Sequence, residues 1–280
     1  MSFDVTSLSI VGPALLAGML VLATHVPLGQ EVLRRGIIFI DLAVAQMAGL
    51  GVIAAHGFGL EAHGVAAQVA AFAAALLGGL LLSWTDRRFA RIQEAIIGVS
   101  FVLAATGGLL LLANDPRGGE ELRDLLVGQI LWADVHTLVP AGVLAALVLA
   151  AWRIVMRTLR GAGFYLLFAI SVTASVQLVG VYLVFASLMV PALATRRLRA
   201  HALTAGYAIG VAGYLAGLLL SARFDLPTGA IIVWTLTIAA LAAVPLLGRW
   251  RRAVDDPLDT AARGAGGGYS AAAGTPNIRR

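Results

Sequence analysis

Long stretches without a charged residue divide the chain, and this pattern constrains the fold more than any other feature. Seven runs contain no Asp, Glu or Arg: 5–30, 62–85, 95–114, 135–152, 161–195, 200–222 and 226–248. An eighth run, 36–60, is interrupted only by Asp41. A helix that crosses the hydrocarbon core of a bilayer needs about 20 apolar residues. With 60% apolar and only 12% charged residues, the chain lacks the polar surface of a soluble domain. The sequence therefore predicts an all-α, polytopic bundle of transmembrane helices.

The run 161–195 does not fit a single span. As one helix it would be about 52 Å long, against a hydrocarbon core of about 30 Å, yet two full crossings need about 40 residues. A pair of helices broken near Gly180 would fit this length. Non-helical backbone at membrane depth must be sheltered by protein or a water-filled cavity. We therefore predict that this segment lines a transport pathway, with a bend at Gly180 and Pro191. One strongly tilted helix is the alternative. We therefore expect eight spans, or nine if the pair is broken or re-entrant.

Arginines and acids alternate between the connections. Arginines follow the first and third runs, whereas acids dominate the connections after the second and fourth, at Glu61 and at Asp115, Glu120 and Glu121. Basic connections face the cytoplasm, so the N-terminus is expected outside. We assign 1–248 to the transmembrane domain and 249–280 to a polar cytoplasmic tail, expected to be disordered because it lacks apolar periodicity.

Several classes of function are excluded by what the chain lacks. It contains no cysteine and no lysine, and all 20 of its basic residues are arginine. Thiolate metal sites, phosphate loops with an essential lysine and Schiff-base enzymes are therefore excluded. Neither HExxH nor GxSxG occurs, so we predict that the chain is not an enzyme and binds no permanent cofactor. The net charge of +5 is explained by arginines between apolar runs and does not indicate nucleic acid.

One carboxylate lies inside an apolar run. Acids within the membrane tend to face a bundle interior or an aqueous path, so Asp41 is a candidate ligand or relay for a cation. Gln46 lies five residues later, about 140° around the helix, and is grouped with it. Alternatively, Asp41 pairs with an arginine, since Arg35 is only about 8 Å away along a helix.

The connection after the second run, HGFGLEAH, offers a second candidate metal site. His56, Glu61 and His63 place two imidazoles and one carboxylate within eight residues on the expected outer face. This donor set suits zinc or a similar divalent metal. The spacing matches no established motif, and an ordinary polar loop is the alternative.

Five segments in order resemble the bacterial zinc/manganese ABC-transporter permease family. The segments are RRGIIFIDLAVAQMAGLGVIAA (34–55), EAIIGVSFVLAA (94–105), DLLVGQIL (124–131), VGVYLVFASLMVPALATRRL (179–198) and DLPTGAIIVW (225–234). The third of them, 124–131, is similar to a short extracytoplasmic helix of that family. The resemblance covers about 10–248.

The resemblance implies an ATP-driven importer in the bacterial inner membrane, with zinc as the first expected substrate and manganese as the second. It also implies a homodimer surrounded by membrane lipid, alternating access between the two copies, a cytoplasmic ATP-binding subunit and a periplasmic metal-binding protein. In the family, a histidine follows the aspartate, but this chain has Ala45 and Gln46, so the imidazole cannot be carried over.

The resemblance also locates the segment that would contact the ATPase. Only about 153–163 separates two spans where the family has a longer segment with a docking helix. Arg153, Arg157 and Arg160 are therefore candidate docking residues. The alternative is a membrane scaffold or partner protein that derives from such a permease and is uncoupled from ATP.

Overall fold

The computed structural model describes residues 5–61, 64–113, 115–116, 118–128, 130–158, 160–198 and 201–266. This part of the chain is built from helices, which we number in chain order: α1 (Val5–Arg35), α2 (Ile40–Gly57), α3 (Val65–Phe89), α4 (Gln93–Leu111), α5 (Gly118–Val127), α6 (Val135–Thr158), α7 (Arg160–Val179), α8 (Val181–Thr195), α9 (Ala202–Phe224) and α10 (Thr228–Gly266). Short 3₁₀ turns at Ala90–Ile92 and Ile130–Trp132 follow α3 and α5. The predicted all-α polytopic bundle is confirmed.

Seven described segments are long and apolar enough to cross a membrane. One of them, Val65–Leu111, has 47 residues and contains both α3 and α4. The apolar helix α8 is shorter, because it has only 15 residues. Within the described ranges, nine apolar helices are therefore arranged as a polytopic bundle, and the tenth helix, α5, is short and amphipathic.

Helices α7 and α8 form the broken pair. The helix stops at Gly180, whose φ of +80° lies in the region that favours glycine, and restarts at Val181. The guanidinium of Arg35 lies 4.3 Å from the ring centroid of Phe164, near the start of α7, and Gln30 Nε2 donates to Thr195 Oγ1, at the end of α8, over 3.1 Å. Both outer ends of the pair therefore lie beside the end of α1. Gly180 lies about 24 Å from Phe164 along the helix, at the opposite end of the bundle.

We call these two ends of the bundle the arginine end and the acidic end. The arginine end contains Arg34, Arg35, Arg87, Arg88, Arg91, Arg196 and Arg197, and the acidic end contains Glu61, Asp115 and Glu120. Helix α7 runs from the arginine end to the acidic end, and α8 returns. This arrangement explains why a run too short for two full spans still reverses direction.

Glycines allow α9 to pack closely against its neighbours. Gly206 and Gly210 face α1, where an added Cβ would lie 2.9 Å from Val26 Cγ1 and 2.6 Å from Leu22 Cδ2. Gly213 faces α10, and its added Cβ would lie 2.7 Å from Leu236 Cα. The glycines of α9 thus allow close packing against both α1 and α10.

Helix α10 extends into 249–280, the segment that the sequence analysis assigns to the tail. The backbone of α10 is helical to Gly266, and its membrane-length part is Thr228–Leu247. The boundary between membrane domain and tail stays a prediction, and 267–280 lie outside the described residues.

Candidate functional site

Asp41 lies in the first turn of α2 and is completely buried. It is enclosed because α2 packs against α3, α4 and α7. Within the part of the chain that the structure describes, neither of its carboxylate oxygens has a hydrogen-bond partner. A buried carboxyl group without a partner destabilises a fold, and the cation-binding role of Asp41 stays a prediction.

The arginines nearest to Asp41 in sequence are engaged elsewhere. Arg34 Nη2 contacts Glu31 Oε2 at 2.5 Å, and Arg35 Nε contacts Glu31 Oε1 at 2.7 Å. Arg35 also stacks over the Phe164 ring. Neither guanidinium is paired with Asp41, so the alternative of a structural ion pair finds no support in this geometry.

Gln46 shares the interior position of Asp41. Its side chain is buried on α2, one and a half turns beyond Asp41 toward the acidic end. Further along the same helix, the absence of a side chain at Gly49 admits Leu125 of α5, whose Cδ1 would lie 2.6 Å from an added Cβ. Helix α2 therefore carries two buried polar groups between its arginine end and the point where α5 packs against it.

The second candidate site is only partly assembled in the structure. His56 Nε2 lies 3.7 Å from Asp115 Oδ2, which joins the end of α2 to the segment after α4. Glu61 is exposed, and His63 lies outside the described residues. Among the described residues there is no group of three or more His, Cys, Asp or Glu side chains that could hold a metal ion. Asp115 is a neighbour that sequence reasoning did not assign to this site.

Gly180 and Pro191 differ in what they do to the backbone. The helix breaks at Gly180, whereas α8 continues through Pro191. Within the same helix, Thr195 Oγ1 donates to the Pro191 carbonyl over 2.8 Å. The change of direction in this pair is located at Gly180.

The segment 153–163 is helical almost throughout. Arg153 and Arg157 belong to the end of α6, and Arg160 begins α7. The side chains of these three arginines lie outside the described part of the structure. The two helices pack tightly at this turn, because an added Cβ at Gly163 would lie 2.5 Å from the Val155 carbonyl oxygen.

A group of polar residues in α1 and α7 was not singled out from the sequence. His25 is fully buried, and its Nδ1 lies 3.0 Å from both Thr24 Oγ1 and the Val21 carbonyl, while its Nε2 has no partner among the described residues. Ser171 lines a cavity of about 20 Å³ together with Thr24 and Ser175. Single hydroxyl groups in apolar runs give no sequence signal, so only the packing of the helices reveals this group.

Solved structures of other proteins share the fold of this chain. The chain resembles PsaBC from Streptococcus pneumoniae, solved in complex with a Fab, with a TM-score of 0.62 and 20% identity over 83% of this chain and 88% of that chain. It also resembles an inward-facing conformation of a protein described as a metal-chelate type ABC transporter, with a TM-score of 0.57 and 17% identity over 89% of both chains. At these identities, the comparisons establish the shared fold.

The sequence itself matches one family over nearly its whole apolar part. No curated protein matches the chain. The ABC 3 transport family matches residues 7–164 and 157–246, which together include Asp41, the broken pair and the described spans up to α10. The chain therefore belongs to the ABC 3 transport family, as the five ordered segments indicated.

Proposed function

We propose that this protein is the permease subunit of an ATP-driven importer of divalent transition metal ions, with zinc as the first expected substrate and manganese as the second. Family membership supports the class of transporter. The observation that supports a cation as the substrate is that the Asp41 carboxylate is buried and has no hydrogen-bond partner in the described chain. One of the two similar structures is a metal-chelate type ABC transporter, which agrees with this assignment.

In this proposal, two copies of the chain face each other in the bacterial inner membrane. A periplasmic binding protein delivers the ion at the acidic end, where His56, Glu61 and His63 are predicted ligands. Asp41 and Gln46 then offer oxygen atoms in the interior, and a cytoplasmic ATP-binding subunit acts at the arginine end. ATP-driven movement shifts the population between outward-open and inward-open states, and the ion follows the accessible side.

Uptake of radioactive zinc and manganese in bacteria that lack their own importers tests the proposal. Asp41→Asn removes the charge with little change of shape and is expected to reduce uptake by at least about tenfold, since ion binding in a low-dielectric interior depends on the charge. Ser171→Ala is the matched control, because this residue is also buried and polar but lies on α7. Equal uptake by wild type and Asp41→Asn, at equal amounts in the membrane, would remove Asp41 from the mechanism.

A second candidate function is supported by the turn between α6 and α7. Helix α6 runs to Thr158 and α7 begins at Arg160, so the described chain has no separate docking helix between them. An ATP-uncoupled scaffold or partner protein would not need one. Co-purification with an ATPase encoded beside this chain separates the two functions: a stable complex whose ATP hydrolysis responds to the chain supports the importer, and repeated failure to recover an ATPase supports the scaffold.

A further inference from the structure

The corner between α3 and α4 presents a basic and aromatic surface at the arginine end. Arg87 and Arg88 lie three and four residues after Trp84, on the same face of the end of α3, and Arg91 lies in the 3₁₀ turn that follows the helix. All four are exposed, and Phe89 joins them, with its ring 6.2 Å from that of Trp84 in an edge-to-face arrangement. We call these five residues the corner patch.

The opposite face of the same corner is buried. Leu82 and Thr85 are inside, and Gln93 Nε2 donates to the Leu82 carbonyl over 2.9 Å. Asp86, the only acid between residues 84 and 92, lies against Tyr165 of α7. The inner face therefore holds the corner in place, and the corner patch carries positive charge without an acid among its members.

The arginines of the corner patch are available to a ligand. Unlike Arg34 and Arg35, none of the three has an ion-pair partner in the part of the chain that the structure describes. Three arginines within five residues, next to two exposed aromatic rings, form a distinct site rather than a scattered charge.

The depth of the corner patch indicates which ligand it meets. Trp84 lies about 29 Å along α3 from Val65, which matches the thickness of the hydrocarbon core. Aromatic side chains favour this boundary. Arg87 and Arg88 lie a further ~5 to 6 Å along α3, and Arg91 lies in the turn just beyond its end, so the three arginines are at the level of lipid headgroups. A guanidinium at this level can form two hydrogen bonds to a phosphate group.

We propose that the corner patch is a binding site for anionic phospholipid headgroups, in which Arg87, Arg88 and Arg91 contact the phosphate and Trp84 and Phe89 lie against the glycerol and upper acyl chains. Lipid binding at the corner patch is independent of the proposed metal transport, because it requires neither the ion nor the ATPase. A lipid bound there stabilises the connection between α3 and α4, whose opposite face contacts α7 through Tyr165.

Binding of short-chain phosphatidylglycerol to the detergent-solubilised protein, followed by native mass spectrometry, tests this site. Short-chain phosphatidylcholine and glycerol phosphate serve as the zwitterionic and lipid-free comparisons. Arg87→Gln/Arg88→Gln is expected to weaken phosphatidylglycerol binding about 25-fold, at about fivefold for each arginine near an anionic lipid. The matched control is Arg196→Gln/Arg197→Gln, which removes two adjacent exposed arginines from the same end and should change binding less than about threefold.

Three results would overturn the assignment. Equal weakening by both double variants would show a general charge effect. Glycerol phosphate that competes as well as the lipid would show a free-phosphate site. Unchanged lipid binding in Arg87→Gln/Arg88→Gln, together with loss of a co-purified ATPase or of a second copy, would assign the corner patch to a protein partner.

Discussion

Gly128 and Gly180 meet backbone to backbone at the acidic end. Both have a positive φ, +69° and +80°, and a Cβ added at either residue would overlap backbone atoms of the other segment. Gly229 at the start of α10 packs against the same place, where an added Cβ would lie 2.7 Å from the Val127 carbonyl oxygen. The end of α5, the break of the α7–α8 pair and the start of α10 therefore converge through residues without side chains.

Gly180→Ala should destabilise the protein strongly. At φ +80° and ψ +162° the backbone of Gly180 lies in a region that is essentially restricted to glycine and costs an alanine about 1–3 kcal/mol, and overlap with Gly128 adds to this. We expect a lower melting temperature in detergent and loss of uptake. Gly98→Ala is the control, since Gly98 is helical with nothing within 4 Å of an added Cβ, and it should be neutral or slightly stabilising. Equal melting temperatures for the two variants would contradict the proposed contact.

Arg35→Gln should destabilise the protein more than Arg34→Gln, although both arginines bind Glu31. The Arg34 side chain is 74% exposed, so its ion pair contributes little, whereas the Arg35 side chain is 24% exposed and also stacks over Phe164. We expect a loss of about 1–2 kcal/mol for Arg35→Gln and under about 0.5 kcal/mol for Arg34→Gln. Chemical unfolding at low and high salt measures both, and the reverse order would show that Phe164 contributes nothing.

Asp41→Ala should stabilise the metal-free protein while it reduces uptake. Removal of a buried carboxyl group without a partner relieves a desolvation penalty of about 1–3 kcal/mol. The small cavity that remains is destabilising and offsets part of this gain. Val44→Ala on the same helix is the control, since it removes only well-packed apolar atoms and should be destabilising. If Asp41→Ala destabilises as much as Val44→Ala, the carboxyl group is satisfied in the native protein.

Zinc should raise the melting temperature of the wild type more than that of Asp41→Asn. An ion that binds only the folded state stabilises it by mass action, and at a concentration of 100 times Kd the gain is about 2.7 kcal/mol. Removal of zinc with a chelator should return both proteins to their starting values. Identical zinc responses would place the ion elsewhere, with His56 and Asp115 as the next residues to substitute.

Asp134 should make stability depend on pH at the start of α6. The backbone N–H of Thr137 and then its hydroxyl group donate to this exposed carboxylate, which lowers its pKa below 3.8. Because the folded-state pKa is the lower one, the stabilisation is present above pH 3.8 and is lost as the pH falls through the lowered pKa. Asp134→Ala should therefore melt below wild type at neutral pH, and the gap should close in acid. A gap that persists unchanged in acid would contradict the role of the charge.

Much of the fold follows from the sequence because the bilayer imposes simple rules. Charge-free runs of about 20 residues must be helices that satisfy their own backbone hydrogen bonds. The excess length of 161–195 left either a pair of helices broken near Gly180 or one tilted helix, and the structure has the break at Gly180. The resemblance to the family rested on ordered segments, and the match over 7–246 confirms it.

The candidate site was predictable only in part. Asp41 stands out in the sequence because placing a lone acid at membrane depth costs free energy. That Arg34 and Arg35 bind Glu31 instead could not be predicted, since both acids, Glu31 and Asp41, lie near the two arginines along the chain. Likewise, the partner of His56 is Asp115, 59 positions away, which no local pattern indicates.

The sequence by itself determined the class of protein and the apolar runs that form its helices, and it singled out Gly180 and Asp41 as candidates, because hydropathy and charge act locally along the chain. The tertiary structure decided which helices meet, which charges pair and which groups stay without a partner. Those outcomes depend on distances between segments far apart in sequence, and close packing through residues such as Gly128 and Gly180 fixes them only when the whole bundle has formed.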